Sequence, residues 1–186
     1  MKTAVVFILA LVTLPIGHVA AIESVVPAEP ISDPEPWVAQ YDGTEIDLRF
    51  GWDSARACQT DGIETTCYDT EALMLSALGA PANGAAAPAG SSGLKRASCG
   101  SYLRLYTGTN YTGSVLALTT QYTVLNLSSY GFNNVTSSYR VGGCSSTFYD
   151  LSFAGAPVYG GATGAWAESA TMLSGWDNRV SSVWIA

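Results

Sequence analysis

The sequence predicts an all-β domain in its carboxy-terminal half, preceded by a small α+β region. The expected form is a sandwich or barrel of two similar four-strand units. From Cys99 onward, short alternating segments are separated by turns containing Gly, Asn and Ser, the pattern of an antiparallel β-domain. A stretch of this half also repeats 44 residues later: Gly131, Phe132, Asn134, Ser137 and Ser138 align without a gap on Gly175, Trp176, Asn178, Ser181 and Ser182. Self-similarity at that period marks two copies of one structural unit. Residues 99–186 carry three acids and three bases, and Tyr, Ser, Thr and Gly supply much of the rest.

The amino-terminal end reads as an export signal over residues 1–21. Lys2 is the only charge before an apolar run over residues 3–16, and Val19, Ala20 and Ala21 give a cleavage site before Ile22. The run is too short for a stable membrane span, and no second run of spanning length follows. A secreted, extracellular protein without a membrane span is expected. Removing the signal removes His18, the only histidine of the 186 residues. The mature chain then has no Ser-His-Asp triad, no Cys-His dyad and no histidine zinc site. The remaining route to catalysis, a pair of carboxylates, has no motif here, so no enzyme is expected. An even cysteine count in an exported chain favours disulfides. Four cysteines allow three pairings. Cys58–Cys67 with Cys99–Cys144 is preferred, because each pair then lies within one sequence region.

The net charge of −7 is unevenly placed, with twelve acids and four bases in residues 22–98. No basic patch exists for a nucleic-acid backbone, so no nucleic-acid partner is expected. Residues 22–36 hold four prolines and four acids and read as a disordered leader. In residues 37–79, the alternation from Thr44 to Phe50 reads as a strand. Asp69 suits an N-cap for a short helix over residues 72–78, which Gly79 ends. About forty residues rarely build a core alone, so this region should dock on the next domain or lean on its disulfide. Residues 80–98 are a linker rich in Ala, Pro, Gly and Ser. In the last region, residues 101–106 and 114–118 read as strands around a turn at residues 107–110.

Two loops carry the chemistry. Asn133, Asn134, Val135, Thr136, Ser137 and Ser138 match Asp177, Asn178, Arg179, Val180, Ser181 and Ser182. Paired acid or amide residues ahead of Ser-Ser offer many neutral or anionic oxygens, the donors that hard cations such as Ca²⁺ take. The same residues also make plain turns by bonding local backbone.

Tyr106, Tyr111 and Gly113 resemble the aromatic-turn-aromatic-x-Gly hairpin of the βγ-crystallin family. The two loops, each preceded by an aromatic residue (Phe132, Trp176), look like that family's calcium motif. The resemblance covers residues 99–186. It implies two Greek-key motifs packed as a βγ-crystallin-like sandwich, with two calcium sites shared between the loops of both keys. By that pattern Ser137 and Ser181 give side-chain oxygens, and Val135 and Arg179 give backbone carbonyls. Asn133, Asn134, Asp177 and Asn178 give further ligands or hold the loops in shape. The second hairpin departs from the pattern. Tyr149 or Phe153 stands as its first aromatic, with Tyr159 and Gly161 completing it across a longer loop through residues 154–157.

The loops contain one carboxylate, Asp177. Carbonyl and hydroxyl oxygens complete a shell of about 6–8 ligands without neutralising charge, so affinities on the order of 10⁻⁵ to 10⁻³ M are expected. The leading expectation is a monomeric secreted calcium-binding module with a structural or interaction role. The alternative is a secreted proteinase inhibitor on the same fold, since the Streptomyces metalloproteinase inhibitor family shares it. A secreted protease would then be the partner, and residues 142–146 around Cys144 would offer the inhibitory loop.

Overall fold

The computed structural model describes residues 37–79 and 102–186. The expected signal, leader and linker, together with Cys99, lie outside the described residues. The first strands form two hairpins. Strand β1 (Val38–Tyr41) pairs antiparallel with β2 (Thr44–Asp47). The strand expected to run from Thr44 to Phe50 ends at Asp47, whose carboxylate accepts the Arg49 N–H and turns residues 48–50 into a single 3₁₀ turn. That turn delivers Leu48 to the core. Strands β3 (Ala57–Thr60) and β4 (Thr65–Tyr68) follow, bridged by the Cys58–Cys67 disulfide across directly paired positions. Their turn is closed by Asp61, whose Oδ1 accepts the N–H groups of Ile63 and Glu64.

Helix α1 spans Glu71–Ala77. Its N-cap is Thr70, not Asp69: the Thr70 hydroxyl accepts the Leu73 N–H at 3.2 Å. Asp69 accepts instead from the Tyr41 hydroxyl. Gly79 takes a positive φ of 66° just past the helix, as expected of that residue.

The second half supplies β5 (Leu103–Gly108), β6 (Thr112–Leu118), β7 (Val124–Asn126) and β8 (Ser138–Arg140). It continues with β9 (Ser146–Leu151), β10 (Gly155–Val158), β11 (Glu168–Ser169) and β12 (Ser182–Ile185). One sheet runs β11-β8-β5-β6-β3-β4-β1-β2, and the other runs β10-β9-β12-β7. Each four-strand unit therefore gives its third strand to the sheet of the other, so β7 joins β12 and β11 joins β8. These are two Greek keys interlocked as a sandwich. Residues 37–79 extend the first sheet, because β3 pairs in parallel with β6 from Ala57↔Val115 to Thr60↔Leu118.

The main core lies between the sheets. Leu103, Leu105, Leu116 and Leu118 meet Phe148, Val183, Ile185 and Leu125 there, all buried. Burying side chains of this size stabilises by roughly 1.5–3 kcal/mol each. A second cluster forms on the opposite face of the first sheet, where Met74 and Leu75 of α1 cover Ala57, Tyr106, Val115 and Ala117. Strand β5 is thus covered on both faces. Arg104, on the helix side, is buried and meets Glu71 at 2.9 Å, and the Tyr106 hydroxyl donates to the same carboxylate oxygen at 2.7 Å.

Candidate metal centre

Both loops take the same backbone course. Gly131 and Gly175 have φ of 63° and 78°, and Asn134 and Asn178 have φ of 57° and 56°. Left-handed backbone suits Gly and Asn above other residues. At Gly131 the requirement is double, since a Cβ there would lie 2.7 Å from the Leu48 carbonyl oxygen.

The loops face each other and exchange bonds reciprocally. Asn134 N–H donates to the Val180 carbonyl, and Asn178 N–H to the Thr136 carbonyl, each at 3.0 Å. The Ser181 hydroxyl meets Asn134 Oδ1 at 2.9 Å, and the Ser137 hydroxyl meets Asn178 Oδ1 at 3.3 Å. Each loop also hangs from the hairpin of its own key. Ser137 N–H donates to the Tyr106 carbonyl and Ser181 N–H to the Tyr149 carbonyl, both at 2.8 Å. The next serines repeat the symmetry. Ser138 Oγ donates to the Gly108 carbonyl and Ser182 Oγ to that of Leu151, both at 2.6 Å.

These matches place Tyr149 opposite Tyr106 and correct the expectation of a longer second hairpin. Ser138 Oγ accepts the Tyr111 N–H, and Ser182 Oγ accepts the Ala154 N–H. Asn110 and Tyr111 have φ of 55° and 61°, and Phe153 and Ala154 have the same two values. The turns are therefore equal in length, with Ala154 where Tyr111 stands. Tyr111 packs edge-on against Tyr106 at 5.7 Å, and the Arg140 guanidinium lies 3.9 Å from its ring centre. Tyr159 does not close the second hairpin. It sits in the core against Phe148, Tyr139 and Trp176. In the first hairpin Gly113 has φ of 81°, and a Cβ there would collide with the Thr107 hydroxyl and close on the Gly108 nitrogen at 3.1 Å.

The expected site residues divide by burial. Ser137 and Ser181 are buried, Val135 is half-buried, and Asn133, Asn134, Asp177, Asn178 and Arg179 are exposed. Arg179 turns its side chain to Asp150 at 2.8 Å and lies over the Trp176 ring, and Asp150 holds its guanidinium pKa up. Arg140 pairs with Glu168 at 3.3 Å. Among the described residues, Asp177 is then the carboxylate of the second half that is in no ion pair. The Asn178 amide reaches it at 3.4 Å.

Among the described residues no three His, Cys, Asp or Glu side chains come together. The donors that the loops offer are hydroxyl, amide and carbonyl oxygens with one carboxylate, a set that fits a hard cation and not a transition metal. Two oxygen pairs, Ser137 with Asn178 and Ser181 with Asn134, each join one loop to the other.

Residues outside the motif support it. Trp52 stacks on Phe132 with ring centres 5.3 Å apart, and its indole N–H donates to the Tyr130 carbonyl at 2.7 Å. Trp52 and Leu48 thus buttress the first loop from the amino-terminal region. No periodicity signals this contact in the sequence. Asp150, which holds Arg179, had only the equal count of acids and bases to point to it. Of the other expectations, Cys144 is disulfide-bonded, and its expected partner Cys99 lies outside the described residues. In the loop suggested for protease inhibition Gly142 and Ser146 are buried and Ser145 alone is exposed. Its ends are tied by bonds from Trp166 to Gly142 and from Ser146 to Thr163.

No protein-family model matches the chain. No curated protein matches it either. The solved structures to which it is similar are βγ-crystallin domains. One, from Ciona intestinalis, is 25% identical with a TM-score of 0.38, over 46% of this chain and 99% of that one. Another, from Flavobacterium johnsoniae, is 26% identical with a TM-score of 0.39, over 45% of this chain and 92% of that one. The amino-terminal domain of protein S is 22% identical with a TM-score of 0.37, over 46% of this chain and 96% of that one. No helix among the described residues is long and apolar enough to cross a membrane.

Proposed function

We propose that this chain, whose carboxy-terminal half has the two-Greek-key fold of βγ-crystallin domains, is a secreted calcium-binding module. Its role is structural or in ion-tuned interaction, and no enzyme chemistry is part of it. The observation that supports this reading best is the reciprocal pairing of Ser137 with Asn178 and of Ser181 with Asn134. A plain turn bonds its own backbone. Here each buried hydroxyl reaches an amide oxygen of the opposite loop, so two oxygens from different keys already stand together twice.

Calcium would take Ser137 Oγ with Asn178 Oδ1 at one site and Ser181 Oγ with Asn134 Oδ1 at the other. The carbonyls of Val135 and Arg179, and the side chains of Asn133 and Asp177, add oxygens. When bound, the ion supplies a cross-link between the two keys. Asp150 offsets the charge of the Arg179 guanidinium, which lessens its repulsion of a cation at the loop. Magnesium competes poorly, because loops of this kind impose no tight octahedron. Secretion is supported by the apolar run over residues 3–16 and by the Cys58–Cys67 disulfide, which suits an oxidising compartment. The protease-inhibitor alternative has no comparable support, since Ser145 alone of residues 142–146 is exposed.

The test is thermal unfolding of the mature protein in EDTA and in millimolar calcium, with calorimetric titration. Calcium at 100 times its Kd stabilises by roughly 2.7 kcal/mol per site. The rise in melting temperature should shrink in Asp177→Ala and in Ser137→Ala. Absence of both heat and melting shift in the parent protein would reduce the loops to turns.

A further inference from the structure

A groove of about 380 Å³ runs beside β7, between the β3–β4 turn and the β9–β10 turn. Ile63 stands on one side, 90% exposed, and Phe153 on the other, 62% exposed. Val124 and Leu125 of β7 line the groove between them. Strand β7 ends its sheet and is bonded to β12 alone. Leu127 N–H donates to the Ser181 carbonyl, so the next residue bonded to β12 is Leu125, opposite Val183. Val124 and Asn126 alternate with these and turn main-chain groups to the outer side.

Two further observations single out this edge. Sheet edges are usually guarded by charge or proline. Here β2 carries Glu45 and Asp47, β10 carries Pro157 and β11 carries Glu168, whereas Val124, Leu125 and Asn126 include none of these. The two β-hairpin turns also share one backbone but place their aromatic residue differently. Tyr111 folds back over Tyr106, while the second turn has Ala154 at that position and Phe153 one residue earlier, facing solvent. The Phe153 N–H is held by Asn126 Oδ1 at 2.7 Å, which fixes the turn against β7. The fold gains nothing from exposing that ring, and a bound apolar side chain would cover it. Charge narrows the partner further. Asp61 is the charged residue lining the groove, Glu64 follows at the same turn, and both are exposed.

We infer that this groove takes an extended segment of a partner protein, added to β7 as a strand, with an apolar side chain between Ile63 and Phe153 and a basic residue beside Asp61 and Glu64. Main-chain bonds to the β7 edge give affinity and the side-chain sites give selectivity. The inference does not rest on calcium binding.

A displayed library of random short peptides, selected on the full mature protein in EDTA and in calcium, tests it. Enriched peptides should alternate apolar residues and carry Lys or Arg at one end. Their affinity should fall about tenfold or more in Ile63→Ser and in Phe153→Ser, both solvent-facing changes. Proline placed along the peptide should abolish binding, and amide exchange at Val124 and Asn126 should slow in the complex. No enrichment over the Ile63→Ser/Phe153→Ser double variant would overturn the inference, as would peptides that bind that variant equally well. Self-association in sedimentation that Phe153→Ser removes would assign the groove to a second copy of this chain and also overturn it.

Discussion

Thr136 and Val180 occupy the same place in the two loops, and both side chains are fully buried. Val180 packs in the main core, but the Thr136 hydroxyl has no hydrogen-bond partner. A buried donor left unpaired costs about 1–3 kcal/mol, and a methyl group of the same shape carries no such cost. Thr136→Val should therefore raise stability by about 1 kcal/mol, read as a higher urea midpoint at unchanged slope. An unchanged or lower midpoint would mean that the hydroxyl finds a partner in solution. The same variant reports on the loop. If calcium uses only the Asx, Ser and carbonyl oxygens named above, its affinity for Thr136→Val stays that of the parent.

Two elements of residues 37–79 decide how the amino-terminal region holds on. Glu71 opens α1 and accepts from both Arg104 and Tyr106. Burial pushes the Tyr106 phenol well above its usual range, so it remains a donor at any working pH. Glu71→Ala leaves the Arg104 guanidinium buried without its carboxylate and should cost about 2–3 kcal/mol, less than a fully buried pair because Glu71 is part-exposed. Glu71→Gln keeps an acceptor for Tyr106 and should cost less. Equal losses for the two variants in denaturant unfolding would show that the charge contributes nothing. At the β3–β4 turn, N–H groups of Glu64 and then Ile63 hold the Asp61 pKa below the ordinary aspartate range. A depressed folded-state pKa means stability that is present above the unfolded value and lost as pH falls through the folded one. Asp61→Ala should flatten the acid limb of the stability profile below about pH 4 and leave its slope near neutrality unchanged. A parallel acid limb in parent and variant would remove Asp61 from the account.

At the scale of the whole molecule, the parallel pairing of β3 with β6 makes residues 37–79 part of the first sheet. The stacking of Trp52 on Phe132 ties the same region to the first loop. A chain cut at Lys95-Arg96 should consequently keep its two pieces together. They should co-elute on native size exclusion and separate only in denaturant. Residues 99–186 expressed alone would bare the β6 edge, with Val115, Leu116, Ala117 and Leu118 unpaired along it, and would leave Arg104 without Glu71. That fragment should melt lower than the full chain and aggregate through the open edge. Separate elution of the two pieces, or a fragment as stable as the parent, would show that the sheet extension holds little.

Local pattern along the chain was enough to read the elements and the loop donors. Period-two alternation and turn residues are local signals. They marked β5 and β6 to within two residues, α1 to within one, and the repeated Asx and Ser positions. The repeat of Asn134 and Ser137 at Asn178 and Ser181 announced two matching loops for the same reason, since each loop's course depends on its own Gly and Asn. Contacts between distant segments left no such mark. Whether Ser137 meets Asn178 or its own loop depends on how two Greek keys exchange third strands; the family resemblance implied sharing between the keys, but no periodicity encodes it. The equal length of the two hairpins was hidden because Ala154 replaces the aromatic side chain while the backbone keeps the same left-handed turn. Likewise it took the folded chain to reveal that Trp52 supports the first loop, that Asp150 holds Arg179, and that residues 37–79 continue the sheet. A strand's pairing partner is chosen by edge availability and shared core, which exist only once the chain has folded.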